Sequence, residues 1–186
     1  MQEHRALLED ETKKLFLGLL IAVYIGFGPL AESIAQDCEN ISILGAGTTS
    51  GNINSMTFFA SSANSNINGY ITAATTVTLG AFCTVTSDVT AGTDFTGCDN
   101  CTIKGSVSSK GNFTSGANSI IGGNVTVGSS FSSGANSIIG GNVYAVGSVT
   151  LGERSHIIGT LSCDSGKITY GRGASVGNTK YNNDQK

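Results

Sequence analysis

Residues 115–125 read SGANSIIGGNV, and residues 133–143 repeat the same eleven residues unchanged. The copy lies eighteen positions on, and the same step organises most of the chain. Stepping by eighteen from Ile41 gives Phe59, Val77, Phe95, Phe113, Phe131 and Val149. From Ile67 it gives Val85, Ile103, Ile121, Ile139 and Ile157, and from Ile53 it gives Ile71, Val89, Val107, Val125, Val143 and Leu161. Three apolar columns in phase are the signature of a stacked repeat.

Within one period the apolar residues form i, i+2 pairs spaced six apart: Val77 with Leu79, Cys83 with Val85, Val89 with Ala91. Alternate residues of a strand face the same way, so each pair is a short strand with two side chains turned inward. Between pairs lie Gly, Asn, Ser and Asp, as in Gly122-Gly123-Asn124, which accept left-handed backbone or form local turns. Three six-residue sides close one coil, and coils stack about 4.8 Å apart through parallel strand pairing. A helix is excluded, because each interior glycine would cost about 1 kcal/mol relative to alanine. The expected fold is all-β: a three-sided parallel β-helix of 18 residues per coil, with about seven coils from about Ile41 to Val176. The last coil slips by one. Val149 is followed eighteen later by Lys167, and the apolar partner is Ile168, which calls for one inserted residue near Ser165-Gly166.

This reading divides the chain into an N-terminal segment at 1–35, a β-helix at 36–178 and a polar tail at 179–186. The stretch after Gly177, NTKYNNDQK, reads as an end cap or frayed tail. Residues 15–31, LFLGLLIAVYIGFGPLA, carry no charge and follow Lys13-Lys14. That length lies between the apolar core of a secretory signal and a short membrane span. Ser33-Ile34-Ala35 before Gln36 offers small residues for cleavage, whereas Glu3, Glu9, Asp10 and Glu11 make an unusual leader. Export is expected, cleaved or anchored to the membrane, with the repeats outside. The alternative is an apolar helix capping the first coil.

Composition narrows the class. The chain has 186 residues, 26 glycines, one proline, no tryptophan and a net charge of −3. No basic cluster is interleaved with aromatics, so a nucleic-acid partner is not expected. No cofactor or metal is expected either. Five cysteines occur. Cys83 and Cys101 share an inward column, and Cys98 sits at the corner position held elsewhere by Gly80, Gly116, Gly134 and Gly152. CxxC at 98–101 lacks the second pair or histidines of a zinc site and the surroundings of a thioredoxin motif. Cys83, Cys98 and Cys101 therefore read as a disulfide within the trio or as packed thiols. Cys163 replaces the small residue of Ala91 and Ala145 and reads as core.

Catalysis is not expected. The apolar-Gly steps Leu79-Gly80, Ile121-Gly122 and Leu151-Gly152 are similar to those of hexapeptide acyltransferases. Those enzymes favour a small residue two positions earlier, where this chain often has valine, and they use a histidine base. The single repeat histidine, His156, shares an outward column with Thr102, Ile120 and Ile138.

The wording of the coils, VTLGA at 77–81, DVTAG at 88–92 and the two SGANSIIGGNV segments following Phe113 and Phe131, resembles the bactofilins, polymer-forming β-helix proteins. The resemblance covers about residues 41–177. It implies a right-handed solenoid whose coil ends bind further copies of itself without a nucleotide. Five cysteines, an apolar N-terminal segment and Ser/Thr/Asn-rich strands depart from that pattern and point away from a cytoplasmic filament.

The outward positions raise a different possibility. Thr78, Thr96, Thr114, Ser132 and Thr150 form one column, flanked by Thr76, Asp94, Asn112, Ser130 and Ser148. A flat hydroxyl array of this kind looks like the surface of ice-binding solenoids. Threonine is also simply a good strand residue that ladders with itself. The expectation is a secreted or membrane-anchored structural protein that self-assembles through its coil ends, with ice binding as the alternative.

Overall fold

The computed structural model describes residues 38–39 and 43–181. Ile41, the apolar segment 15–31 and the capping helix expected there lie outside them. The described chain is a parallel β-solenoid of about eight turns, with every strand pairing parallel and no helix among the described residues.

Three ladders run along it. The phenylalanine face is built from Ile43–Leu44, Phe59–Ser61, Val77–Leu79, Phe95–Gly97, Phe113–Ser115, Phe131–Ser133, Val149–Leu151 and Ile168–Tyr170. The isoleucine face runs from Thr49–Ser50 through Asn66–Ile67, Thr84–Val85, Thr102–Ile103, Ile120–Ile121 and Ile138–Ile139. The valine face runs from Cys38–Glu39 through Ile53–Ser55, Ile71–Ala73, Val89–Ala91, Val107–Ser109 and Val125–Val127 to Val143–Ala145. The last two ladders merge at an eight-residue strand, His156–Cys163, and its partner Ser175–Tyr181. Here the corner between two faces is straightened.

Register follows the eighteen-residue step through the middle: Val89 pairs with Ile71 and Val107, Phe113 with Phe95 and Phe131, Ile121 with Ile103 and Ile139. The ends break it. Ile43 pairs with Ala60 and Thr49 with Asn66, seventeen residues apart, and Cys38 pairs with Ile53 at fifteen. The first coil is therefore shorter than the period projected back to Ile41, and the ladders hold about eight turns rather than seven. At the other end Val149 pairs with Ile168, the slip expected from sequence, with Gly166 in left-handed backbone (φ 67°) at the turn. The nineteen-residue step persists at Ile157–Val176 and returns to eighteen at Thr160–Asn178. Strand pairing continues to Cys163–Tyr181, so the stretch that reads as a polar tail begins as an ordered rung.

The core is one column of side chains per inward position. Phe95, Phe113 and Phe131 stack with ring centroids 5.0 and 4.9 Å apart and nearly parallel planes. Each turn also carries one left-handed residue at the corner leaving the phenylalanine face: Asn64, Phe82, Asn100, Asn118, Asn136 and Arg154, with φ between 54° and 60°. Asparagine tolerates this conformation, but a phenylalanine there is strained. At another corner, side-chain oxygens accept the amide one coil on: Asp88 from Ser106 (2.7 Å), Ser106 from Asn124 (3.1 Å), Asn124 from Asn142 and Asn142 from Thr160 (both 2.8 Å). Polar corner residues thus tie successive coils where strand pairing lapses.

Candidate functional site: hydroxyl ladders, thiol column and coil end

Strand register decides which outward residues are neighbours. Thr78, Thr96, Thr114, Ser132 and Thr150 are direct partners on successive rungs of the phenylalanine face, and Ser132 is the one that is half-buried. The column continues to Thr169, one step beyond the sequence expectation, because Ile168 restores the phase. A second hydroxyl column was missed: Thr72, Thr90, Ser108 and Thr126 stand in register on the valine face until Tyr144 ends them. Eighteen-residue stepping from the middle of each valine strand would have found it. Tyr144 donates to Asp164 Oδ2 at 2.5 Å, which raises its pKa above the usual phenol value.

The isoleucine face differs. Its outward positions hold Thr84, Thr102, Ile120, Ile138 and His156, and Ile120 and Ile138 are exposed partners on adjacent rungs. His156 Nδ1 lies 2.6 Å from Ser175 Oγ one coil on, so this face residue is held by its neighbour on the next rung.

Of the three cysteines grouped by the sequence, Cys83 and Cys101 are buried in equivalent positions of adjacent coils, while Cys98 is exposed at the corner. All three are free thiols in the structure, as is Cys163. The column containing Cys83 and Cys101 is otherwise serine: Ser65, Ser119, Ser137 and Ser155, all buried. Ser155 donates to the Gly152 carbonyl of its own coil (2.8 Å), whereas the earlier members share one task. Cys83 Sγ donates to the carbonyl of Ser62 (3.1 Å), Cys101 Sγ to that of Gly80 (3.0 Å), Ser119 Oγ to that of Cys98 (3.2 Å) and Ser137 Oγ to that of Gly116 (3.0 Å). Each side chain satisfies a corner carbonyl of the preceding coil. The sequence leaves Cys83 and Cys101 as a disulfide or as packed thiols, and the structure has free thiols that each make the hydrogen bond of a serine. Cys163 is fully buried opposite Ala145, as its column suggests, and donates to the Gly147 carbonyl at 3.2 Å.

The C-terminal end of the ladders exposes what other coils bury. Val149, Leu151 and Ile157 are at most 1 % exposed, but their successors Ile168 and Val176 are only half-buried, and Tyr170 is 44 % exposed. Ala174 at the same end is also half-buried. Ile168–Tyr170 is the last rung of the phenylalanine ladder, and Ser175–Tyr181 pairs only with His156–Cys163 among the described residues.

Among the described residues no cluster of three metal-ligating side chains occurs, and no helix is long and apolar enough to cross a membrane. Comparison with protein families, with curated proteins and with solved structures gives no match.

Proposed function

We propose that this chain is a non-catalytic structural protein, secreted or held at the cell surface by residues 15–31, whose solenoid is right-handed and joins end to end with further copies of itself. The observation that carries this reading is the C-terminal rung. Ile168, Ala174 and Val176 continue inward columns yet stay half-exposed, beside strands whose outer edges have no partner among the described residues. A strand edge offers a row of unpaired amides and carbonyls to a further strand. Covering the part of these side chains still exposed would add roughly 0.5–1 kcal/mol for each large aliphatic residue, a fraction of the value for full burial.

The test is electron microscopy and sedimentation of the full chain. Fibres that lengthen with concentration are expected, and Ile168→Lys with Val176→Lys should abolish them while leaving the far-ultraviolet spectrum unchanged. A strictly monomeric wild-type protein at high concentration overturns the proposal.

A second reading is favoured by one observation, the unbroken hydroxyl register from Thr78 to Thr169. In it, that face binds an ice surface. Ice shaping by the wild type, lost in Thr96→Tyr and Thr114→Tyr, would support it; ice growing unaltered in the presence of wild-type protein would remove it.

A further inference from the structure

Cys83 and Cys101 are the only two cysteines among the described residues that occupy the same inward column on neighbouring rungs, fixed there by the pairing of Thr84 with Thr102 and of Val85 with Ile103. Their side chains are 1 % and 3 % exposed. A cavity of about 10 Å³ touches Cys101 and is lined by Phe95, Gly97 and Ser115, which is room for roughly one water-sized molecule. From this geometry we infer that Cys83 and Cys101 form a redox-sensitive clasp between adjacent coils, closed to a disulfide by a small hydroperoxide such as hydrogen peroxide and reopened by thiols.

The chemistry balances within the site and the oxidant. As a neutral pair, each thiol donates to a corner carbonyl, Ser62 for Cys83 and Gly80 for Cys101. When Cys83 ionises it becomes the acceptor, with the Ser61 hydroxyl 3.3 Å away. The Cys101 thiol hydrogen-bonding to it pulls Cys83 down to about 6 against its burial, and the same contact, with burial, pushes Cys101 well above the usual thiol range. The thiolate is the nucleophile. Cys83 sulfur attacks one peroxide oxygen, the O–O bond breaks, and the departing hydroxide takes up a proton to leave as water. The resulting Cys83 sulfenic acid is attacked by Cys101 sulfur. The S–S bond forms as the S–O bond breaks, and a second water leaves with the Cys101 proton. Two thiols lose two electrons, and one peroxide becomes two waters.

Burial makes a small oxidant necessary, because both thiols are covered in the core. A bulky disulfide reagent meets the exposed Cys98 first, whereas Cys83 and Cys101 are buried. The serines at the same column position show that the site tolerates a hydroxyl, so Cys83→Ser and Cys101→Ser keep the corner hydrogen bond and should fold.

The experiment treats the full folded chain with hydrogen peroxide, blocks remaining thiols under denaturing conditions, and cleaves after every aspartate and glutamate without reductant. That cleavage places Cys83 in fragment 40–88, Cys98 in 95–99, Cys101 in 100–153 and Cys163 in 154–164. The expected product is a crosslink of 40–88 to 100–153 with loss of two hydrogens, formed equally in Cys98→Ser, absent in Cys83→Ser, and accompanied by a higher melting temperature that dithiothreitol reverses. A crosslink through 95–99, or oxidised Cys98 beside Cys83 and Cys101 that are still fully alkylated, overturns the inference. The mapping in Cys98→Ser decides the question even if a serine variant at 83 or 101 fails to fold.

Discussion

Ala91 and Ser109 are direct partners on adjacent rungs of the valine face, and between them the column changes from a methyl group to a hydroxyl that has no hydrogen-bond partner. Ser109 is 3 % exposed. A buried unsatisfied hydroxyl costs about 1–3 kcal/mol in lost hydration. Ser109→Ala, which copies Ala73, Ala91 and Ala145 in the same column, should therefore stabilise the protein by about 1 kcal/mol, read as a higher denaturation midpoint at unchanged slope.

Two glycine-to-alanine changes should have opposite signs. At Gly97 a new Cβ points inward beside the small cavity and meets Phe95 ring atoms at 3.3 and 3.4 Å, a contact the ring can relieve by a small shift. Removing glycine's freedom in the unfolded chain then gives about 0.5 kcal/mol of added stability. At Gly134 the new Cβ would lie 2.3 Å from the Gly116 carbonyl carbon, which is backbone and cannot move aside. Gly134→Ala should cost more than about 2 kcal/mol. Paired urea titrations of the two variants check both signs.

Phe82 occupies the left-handed corner position that Asn64, Asn100, Asn118 and Asn136 fill in other coils, and its ring is 60 % exposed. An aromatic residue pays about 1 kcal/mol for this backbone, and its exposed ring regains little by burial. Phe82→Asn is expected to raise the midpoint of thermal unfolding. A lower midpoint would mean that the ring makes a compensating contact.

The central ring of the aromatic stack, Phe113, lies about 5 Å from each neighbour and is fully buried. Phe113→Ala should cost about 3–5 kcal/mol. Phe113→Val, which matches Val77 and Val149 in the same column, should cost distinctly less. Calorimetry separates the two.

Asn142 holds the corner on both sides, its amide donating to Asn124 Oδ1 and its own Oδ1 accepting from Thr160, both at 2.8 Å. Asn142→Ala removes the second bond and leaves the Thr160 amide to water or unpaired. About 1 kcal/mol of destabilisation is expected, with faster amide exchange at Thr160 as the local readout.

The repeat made the middle of the molecule legible. Once Phe95, Phe113 and Phe131, or Ile103, Ile121 and Ile139, recur at a fixed step, an inward side chain has only the equivalent residue of the next coil to pack against. Strand period, corner chemistry and the slip at Ile168 follow from the same count. The first coil was less legible, since Ile43–Ala60 and Cys38–Ile53 shorten the step, and no apolar spacing announces a missing residue. The hydrogen bonds of the thiol column were not legible for a related reason. A cysteine scores as apolar by type, and its serine role shows only when Ser65, Ser119 and Ser137 are aligned with it and the corner carbonyls are located.

The sequence by itself determined a parallel solenoid with inward apolar columns and an outward hydroxyl column, because a covalent period of eighteen residues and a strand alternation of two leave no other face for those side chains. Only the tertiary structure decided how the first coil departs from the period, which buried polar groups are satisfied, that Cys83 and Cys101 each serve a carbonyl of the coil before, and that Ile168 and Val176 are left half-covered. Those facts depend on contacts between coils rather than within one, and no local stretch of chain encodes the distance to its neighbour above.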